Sequence, residues 1–487
     1  MSTTNDTRQL RFAVIGAGMA GILSAIKLTE AGYDDFTIYE KADRLGGTWR
    51  ENTYPGIACD VPSHLYSYSF ALNPEWTYRF SPGNEIYDYF ERVAREHDVE
   101  RRIRFGEEIT SCEWLNGQWN LTTSNGQVDV VDVVIAATGV LHHPNMPDLP
   151  GLDEFEGPSF HSARWDHDVP LDGKRIGVIG TGSSGIQITG ALAGKVGHLT
   201  VFQRTAQWIM PQENPAYTDE ERSAYREDPA HLAKEHDEQN ALFSVFANAV
   251  VNADSPEMAM IEQACREHLE AAVRDPELRE QLRPTYRAAC KRLVVSPNYY
   301  EAMQHPDTEL VTEKVQRIEA NGVRTVDGEL HELDVLVLAT GFRAHDFMKP
   351  MEVVGRNGVT LEKAWADRAK AYLSISIPDF PNLFMLNGPN GPVGNFSLIG
   401  VAEMQFAYIL QLVERLRTGE CAAIVATQEA LDRFEEERFE AAQHTIWSTG
   451  CRSWYLDDRG IPAVWPFPFE RFREEMKAPD FADYECG

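Results

Sequence analysis

Residues 11–28 read RFAVIGAGMAGILSAIKL, and this stretch is the strongest indication of the fold in the chain. A short apolar strand runs into the glycine-rich turn GAGMAG, and an apolar-periodic segment typical of a helix follows. A second strand, FTIYE, ends at Glu40. In such a unit Gly16 allows the tight turn, Gly18 lets the backbone approach a pyrophosphate, and Gly21 lets the helix pack on the strand. The unit therefore predicts a dinucleotide site, with phosphates at the helix N-terminus and ribose hydroxyls on Glu40.

The same unit recurs further along the chain, as the strand-turn sequence KRIGVIGTGSSG with its glycine turn at 180–185 and a later strand that ends at Arg204. In both units the closing charged residue lies 24 residues after the first glycine. The acid of the first unit, Glu40, suits a free ribose 2′-OH. Arg204 followed by Thr205 suits a 2′-phosphate, a charge-assisted contact worth about 1.5–3 kcal/mol. We therefore expect FAD in the first site and NADPH in the second.

Composition narrows the class of protein. The chain has 487 residues, enough for two or three domains, and a net charge of -30 from 45 basic and 75 acidic side chains. Such a surface repels nucleic acid and anionic membrane, so neither is an expected partner, and a bound polyanion needs a local basic pocket. The polar N-terminal segment and the shortness of the apolar runs predict a cytoplasmic protein.

The cysteines are seven in number, irregularly spaced and without a CxxC motif. This pattern argues against a disulfide framework, a zinc site and a dithiol redox centre. We expect no metal site.

Residues 213–289 are rich in charge and in helix-start signals, such as Thr218 with Glu221 and the pairs Ser255-Pro256 and Asp275-Pro276. They predict a helical insertion. Its apolar patch, which comprises Leu242, Phe243, Val245 and Phe246, is expected to pack against the domain below in preference to lining a substrate cavity.

Two further features complete the predicted organisation. An apolar strand ends in an ATG turn at 130–139, and the same pattern returns at 332–342. A strand and a glycine-rich loop at 382–395 precede a helix that is expected to face a flavin. The fold class is α/β, with two Rossmann-like dinucleotide-binding domains, for FAD and for NADPH, and a helical insertion in the NADPH domain. The predicted division is FAD-binding domain 1–150 and 343–487, NADPH-binding domain 151–212 and 290–342, and insertion 213–289.

Between the two glycine turns lies FEGPSFHSARWD, residues 155–166, which taken alone would be an aromatic-rich linker. It resembles the fingerprint of Baeyer–Villiger monooxygenases, FxGxxxHxxxW followed by Pro or Asp, and the matching residues are Phe155, Gly157, His161, Trp165 and Asp166. GGTWRENTYPGIACD at 46–60 is similar to the family's second signature, and the KR pair at 291–292 and SWY at 453–455 extend the resemblance to nearly the whole chain.

The resemblance implies an enzyme that uses FAD and NADPH to insert one oxygen atom from O2 next to a ketone carbonyl, giving an ester or lactone through a flavin C4a-peroxide. It implies that Arg292 lies beside the flavin and stabilises the peroxide anion, and that Asp60 orients Arg292. Asp60 in isolation would be a turn or cap residue. Lys291, together with Arg204 and Thr205, would hold the 2′-phosphate of NADPH. Trp454 would close over the nicotinamide nucleotide, and His161 would couple the domains.

The complete set of expected cofactor contacts follows from the two units and the resemblance together. It comprises Gly16, Gly18, Gly21, Glu40, Gly47, Thr48, Trp49, Asp60, Tyr66, Gly180, Thr181, Gly182, Ser183, Ser184, Gly185, Gln187, Arg204, Thr205, Lys291 and Trp454. The expected partners are a small-molecule ketone and O2, and the expected state is a monomer or homodimer.

Three other functions fit part of the pattern. A related monooxygenase could prefer sulfides or amines, for which the protonated hydroperoxide is the oxidant and Arg292 matters less. An NADPH-dependent flavin or disulfide reductase is a second alternative, and the lack of CxxC counts against its disulfide form. A non-catalytic, FAD-stabilised binding protein is the third.

Overall fold

The computed structural model of the protein describes residues 8–487. Up to residue 150 the strands and helices are β1 (Phe12–Ile15), α1 (Met19–Glu30), β2 (Phe36–Glu40), α2 (Thr48–Glu51), α3 (Gly83–Glu96), β3 (Ile103–Phe105), β4 (Ile109–Leu115), β5 (Gln118–Thr123), β6 (Val128–Val131) and β7 (Val133–Ala136).

The middle of the chain, to residue 342, contains β8 (Ser159–His161), β9 (Arg175–Ile179), α4 (Ser183–Leu192), β10 (His198–Phe202), β11 (Ile209–Met210), α5 (Asp219–Glu227), α6 (Pro229–Val250), α7 (Pro256–Ala272), α8 (Pro276–Gln281), β12 (Val294–Val295), α9 (Tyr299–Ala302), β13 (Thr308–Val311), β14 (Val315–Glu319), β15 (Gly322–Thr325), β16 (Leu330–Glu332) and β17 (Val335–Leu338). The last third contains β18 (Glu352–Val354), α10 (Leu361–Ala364), β19 (Leu383–Met385), α11 (Leu398–Arg417), β20 (Ile424–Ala426), α12 (Gln428–Ala442), α13 (Phe469–Glu475) and β21 (Tyr484–Cys486).

The first glycine turn belongs to a parallel sheet with the strand order β19-β7-β1-β2-β3. β1 and β7 are apolar and buried along their whole length, as expected of central strands in a parallel sheet covered on both faces. α1 packs against β1 and against α11, so the C-terminal third covers the first nucleotide unit.

The second glycine turn belongs to another parallel sheet, with the order β13-β10-β9-β17-β8. β9, β10, β17 and β13 occupy the positions that β1, β2, β7 and β3 occupy in the first sheet. The predicted internal repeat and the α/β fold class are therefore confirmed. The edge strand β8 comes from the stretch 155–166 and pairs with β17, His161 opposite Leu338.

The sheets draw strands from distant parts of the chain. β19, from the last third, completes the first sheet, and β13 and β17 complete the second. This is the discontinuous arrangement that the predicted domain division requires, although the boundaries themselves stay predictions. Antiparallel strands form two smaller sheets, with the orders β18-β4-β5-β6 (β18 parallel to β4) and β14-β15-β16.

The predicted helix starts in the stretch 213–289 are all formed. The Thr218 hydroxyl accepts the Glu221 N–H at 3.1 Å, and the Glu221 carboxylate accepts the Thr218 N–H at 2.7 Å. Ser255 and Asp275 cap α7 and α8, each with proline in the first turn. Within residues 8–487, no helix combines the length and apolar character needed to cross a membrane.

The cysteines depart from the prediction. Cys290 is joined to Cys451 and Cys421 to Cys486, with Cα–Cα distances of 6.1 Å and 5.1 Å. The expectation that the cysteines form no disulfides is therefore wrong. Spacing along the chain carries no information on these pairs, because the partners are 161 and 65 residues apart and only the fold brings them together. Cys59, Cys112 and Cys265 are free and buried.

Candidate active site

A cavity of about 490 Å³ lies between the two glycine turns and is lined from both nucleotide units. The residues expected at the cofactors that line it are Gly16, Gly18, Glu40, Gly47, Thr48, Trp49, Asp60, Tyr66, Gly182, Ser183, Ser184, Gln187, Arg292 and Trp454. The fold thus gathers residues from four distant parts of the chain around one space.

Glycine is required where each nucleotide helix crosses its strand. A Cβ on Gly21 would lie 1.9 Å from the carbonyl oxygen of Gly16, and a Cβ on Gly185 would lie 2.0 Å from that of Gly180. Both contacts fit the predicted role of the third glycine, close packing of helix on strand. Neither Gly21 nor Gly185 lines the cavity itself.

The carboxylate of Glu40 is held beside the first glycine turn. One oxygen accepts the Ala17 N–H at 2.9 Å and the other accepts the Ala42 N–H at 3.0 Å. Arg50, which the sequence did not single out, pairs with it at 3.1 Å, and both side chains are buried. A fixed carboxylate here accepts hydrogen bonds from ribose hydroxyls and repels a 2′-phosphate, as FAD binding requires.

The cations predicted for the second nucleotide lie just outside the cavity. Arg204 is exposed and Lys291 is half-buried. Neither forms an ion pair within the described part of the chain. Burial and the charge of Arg204 both lower the pKa of Lys291, so the two cations lie within electrostatic reach of each other. Two unpaired cations in a chain of net charge -30 favour a polyanion, and they fit the 2′-phosphate of NADPH.

Thr181 lies in the second glycine turn and is linked to Thr205. The Thr181 hydroxyl donates to the Thr205 carbonyl oxygen at 2.8 Å, which ties the second glycine turn to the loop after β10. Beside them, the N-terminus of α4 presents Ser183 and Ser184 to the cavity.

Arg292 is anchored by partners from two other segments of the chain. Its Nε donates to Asp60 Oδ2 at 3.0 Å and its Nη1 donates to the Gly394 carbonyl oxygen at 2.6 Å. Its own backbone carbonyl accepts from the Gln207 side chain. Asp60 and Arg292 are 232 residues apart in sequence, yet the predicted pair is formed.

The protonation of Arg292 is secured by its neighbours. Burial by itself lowers the pKa of Arg292, but the negative charge of Asp60 and the Tyr455 hydroxyl outweigh burial and hold the pKa above its usual value. Burial raises the pKa of Tyr455 despite the opposing charge of Arg292, so its hydroxyl keeps its proton. The site therefore offers a permanent cation next to a neutral proton donor.

A second, smaller cavity of about 170 Å³ lies on the other side of this pair. Asp60, Arg292 and Gly394 line both cavities. Leu242, Phe243 and Phe246 of the predicted apolar patch line the smaller one, whereas Val245 does not. Phe243 and Phe246 also pack against the core, as expected for this patch.

The larger cavity has features that fit a flavin. The side-chain oxygen of Asn387 is buried with no hydrogen-bond partner among residues 8–487, and Asn387 lines the cavity. It is an acceptor for a ligand N–H such as the imide of a flavin. Phe396 and Leu398, at the start of α11, also line the cavity, as predicted for the helix after the glycine-rich loop.

The fingerprint residues lie outside both cavities. His161 is buried; its Nδ1 accepts the Ala163 N–H at 3.1 Å, so its Nε2 carries the proton and donates to the Gly341 carbonyl at 3.0 Å. Burial lowers the pKa of His161, which favours this neutral form. Gly157 packs where a Cβ would lie 2.5 Å from the Asp334 carbonyl.

The other fingerprint residues also make packing contacts or hydrogen bonds within the protein. Trp165 is buried edge-to-face on Phe160, with ring centres 5.0 Å apart, and the Asp166 carboxylate accepts the Asp168 N–H. Phe155 packs against the apolar cluster of the second sheet.

Sequence reasoning missed four residues at the site. Arg50, which pairs with Glu40, is one of them. The Tyr54 hydroxyl donates to Gln187 at 2.9 Å and accepts from Ser184 at 3.2 Å, which joins the signature at 46–60 to the helix of the second nucleotide unit. Gly394 and Tyr455 are the others. Tyr455 follows the predicted Trp454, and Tyr54 lies within the signature at 46–60, so adjacency was the available signal.

Comparison with known proteins agrees with this geometry. Residues 9–218 match the family model described as flavin-binding monooxygenase-like. A Baeyer–Villiger monooxygenase of Streptomyces coelicolor is 39% identical over 98% of this chain and 92% of its own. An uncharacterised monooxygenase of Mycobacterium tuberculosis is 49% identical over 93% of this chain and 92% of its own.

A solved structure shares the whole architecture. Cyclohexanone monooxygenase from Rhodococcus sp. Phi1, bound to NADP+, superimposes with a TM-score of 0.87 at 32% identity, over 98% of this chain and 99% of its own. The likeness extends from the first sheet to the C-terminal segment, and at this identity it adds to the sequence match. The chain therefore belongs to the Baeyer–Villiger monooxygenases, within the flavin-binding monooxygenase-like proteins.

Proposed function

We propose that the protein uses FAD, NADPH and O2 to insert one oxygen atom next to a ketone carbonyl, giving an ester or lactone and water. When bound, FAD supplies the redox chemistry, taking electrons from NADPH and delivering one oxygen atom of O2 to the substrate. The names of the relatives support a ketone as substrate and do not favour sulfide or amine oxidation. A cytoplasmic location and a monomeric or homodimeric state stay predictions.

The roles of individual residues follow from their positions. Glu40 selects the nucleotide without a 2′-phosphate, and Arg204, Thr205 and Lys291 hold the one that carries it. Arg292 presents a fixed positive charge to the oxygen on which negative charge develops, and charge stabilisation of this kind is often the largest catalytic contribution. Asp60 and the Gly394 carbonyl hold the guanidinium in one orientation, so it need not reorganise during the reaction.

The observation that carries the proposal is the position of Arg292. It lies where the cavity lined from both nucleotide units meets a smaller, largely apolar cavity. A cofactor on one side and a ketone on the other would both contact this guanidinium.

Replacement of Arg292 by alanine tests the proposal. The variant is expected to permit flavin reduction by NADPH but to lower ester formation at least about a hundredfold, because a preorganised donor to developing charge is lost. Reduction is followed by loss of the visible flavin absorption, and 18O2 with mass spectrometry shows whether one labelled oxygen enters the ester. Arg343→Ala, at a site 61% exposed and outside both cavities, is the control. Normal ester formation by Arg292→Ala would contradict the assignment.

A further inference from the structure

The smaller cavity beside Arg292 is closed at one end and open at the other. Its inner end is formed by side chains that are almost fully buried, including Asn395 (1% exposed), Trp447 (2%) and Tyr455 (2%). Leu242, on α6, lines the same cavity but is 67% exposed. Because the lining passes from buried to exposed side chains, the cavity opens to solvent at Leu242.

The chemistry of the lining changes along the same direction. Arg292 and Asp60 supply charge at the inner end, and both side-chain polar atoms of Asn395 are buried there with no partner among residues 8–487. The walls that lead outward include Phe243 and Phe246. A ligand that satisfies this lining has a polar end inside and hydrocarbon towards the mouth.

The size of the cavity limits what it can enclose. Its volume of about 170 Å³ is below the roughly 300–1,000 Å³ of pockets that enclose drug-sized ligands. A ketone of more than a few carbons must therefore extend through the mouth. Four other lining residues are polar: Arg79, Lys291, Gln212 and Gln239. Leu242 offers an exposed apolar side chain for the part of the ligand that leaves the cavity.

From these three observations we infer that the preferred substrates are elongated apolar ketones. The carbonyl end occupies the cavity beside Arg292, and the hydrocarbon chain leaves past Phe243 and Phe246 and lies across Leu242. The inference rests on the proposed ketone oxidation and adds to it a substrate class and a residue that selects it.

A homologous series of 2-alkanones, from 2-butanone to 2-dodecanone, tests the inference. The value of kcat/KM should rise with chain length, by about fourfold for each further methylene that is buried, until the chain passes Leu242. In Leu242→Glu the ratio of kcat/KM for 2-decanone to that for 2-butanone should fall about four- to sixteenfold, the effect of one to two methylenes. Leu242→Ala should lower the ratio less.

Val245→Glu is the matched control. Val245 lies on the same helix and is 53% exposed, but it does not line the cavity, so the same new charge should leave the ratio unchanged. The absorption spectrum of bound FAD checks that each variant is folded. Two results would overturn this inference but leave the proposed function intact. One is that all ketones give esters but kcat/KM does not rise with chain length, and the other is that the ratio falls equally in both glutamate variants. Failure of the wild type to oxidise any ketone would overturn the proposed function as well.

Discussion

Glu40 and Arg204 occupy equivalent positions at the ends of β2 and β10, and their charges assign the two nucleotides. The carboxylate of Glu40 is fixed by two backbone N–H groups and Arg50, so it cannot turn away from a ribose. Among residues 8–487 no such partner holds Arg204, and it is exposed. The difference indicates a preformed ribose site in the first unit and, in the second, an exposed cation that is available to bind a phosphate.

Arg204→Ala is expected to raise the KM for NADPH about tenfold or more, because a charge-assisted contact to the 2′-phosphate is lost. NADH lacks this phosphate, so its KM should hardly change. Steady-state rates with both nucleotides measure the effect, and Arg266→Ala, an exposed arginine on α7, serves as the control. An equal rise for NADPH and NADH would show that Arg204 does not contact the phosphate.

His64 shows how one buried side chain sets a pH dependence. It is 1% exposed, its two ring nitrogens have no partners within residues 8–487, and its ring lies 5.0 Å from that of Tyr217 and 4.8 Å from that of Tyr225. Burial, followed by the charge of His236, lowers the pKa of His64 to about 4. The folded protein therefore resists a proton that the unfolded chain accepts below about pH 6.5.

Stability should fall as the pH drops from about 6.5 towards 4, since the unfolded state then binds the additional proton. His64 accounts for on the order of 2 kcal/mol of this loss by pH 5. His64→Phe keeps an aromatic ring without a titrating group, so its free energy of unfolding should decline less between pH 7 and pH 5. Urea titrations at the two pH values measure the difference. Identical declines in both proteins would exclude His64 as the origin.

At the scale of elements, two short segments without regular structure form the centre of the site. The segment before β12 carries Lys291 and Arg292, and the segment after α12 carries Trp454 and Tyr455. The disulfide between Cys290 and Cys451 joins them, and the Ser453 hydroxyl donates to the Cys290 carbonyl at 3.4 Å. The covalent link adds to the side-chain and backbone hydrogen bonds that hold Arg292 and Tyr455 in these segments.

Thiol titration of the unfolded, unreduced protein should find three thiols, those of Cys59, Cys112 and Cys265. Cys451→Ser should lower stability by about 2–5 kcal/mol and also lower ester formation per NADPH consumed. Cys421→Ser breaks the disulfide that joins Cys486, at the end of β21, to Cys421, three residues before β20. Neither cysteine lines a cavity, so this variant is the matched control and should affect stability alone. Seven titratable thiols would show that neither bond forms.

At the scale of the whole molecule, the stretch 155–166 lies where the two nucleotide units meet. Its β8 is an edge strand of the second sheet, and Arg164, just after it, pairs with Glu51. Glu51 pairs in turn with Arg50 at 2.6 Å, and Arg50 with Glu40. A chain of ion pairs thus runs from the stretch 155–166 to Glu40 of the first unit, an arrangement that fits the predicted coupling role.

His161→Ala should lower coupled turnover several-fold without removing bound FAD. The side chain links Ala163 to Gly341, in the turn after β17, and touches neither cavity. The measurements are ester formed per NADPH consumed and the ratio of flavin to protein absorbance. Release of FAD from a folded His161→Ala protein would contradict a coupling role.

The two nucleotide units, their cofactors and the fold class could be predicted from the amino-acid sequence alone. These depend on local patterns: glycines at fixed offsets, an apolar strand before each turn, and a charged residue 24 positions after the first glycine. The helix starts of the insertion were predictable for the same reason, because a cap and its helix are neighbours in the chain. Arg292 and Asp60 were available only through resemblance to a family.

Features that depend on residues distant in the chain became visible only in the folded structure. The Gly394 carbonyl and the Tyr455 hydroxyl beside Arg292, the disulfide across 161 residues and the opening of the smaller cavity at Leu242 leave no local pattern. A contact between distant segments is set by how the sheets and helices pack. The chain encodes the two nucleotide sites locally, whereas the site between them exists only once the units are assembled.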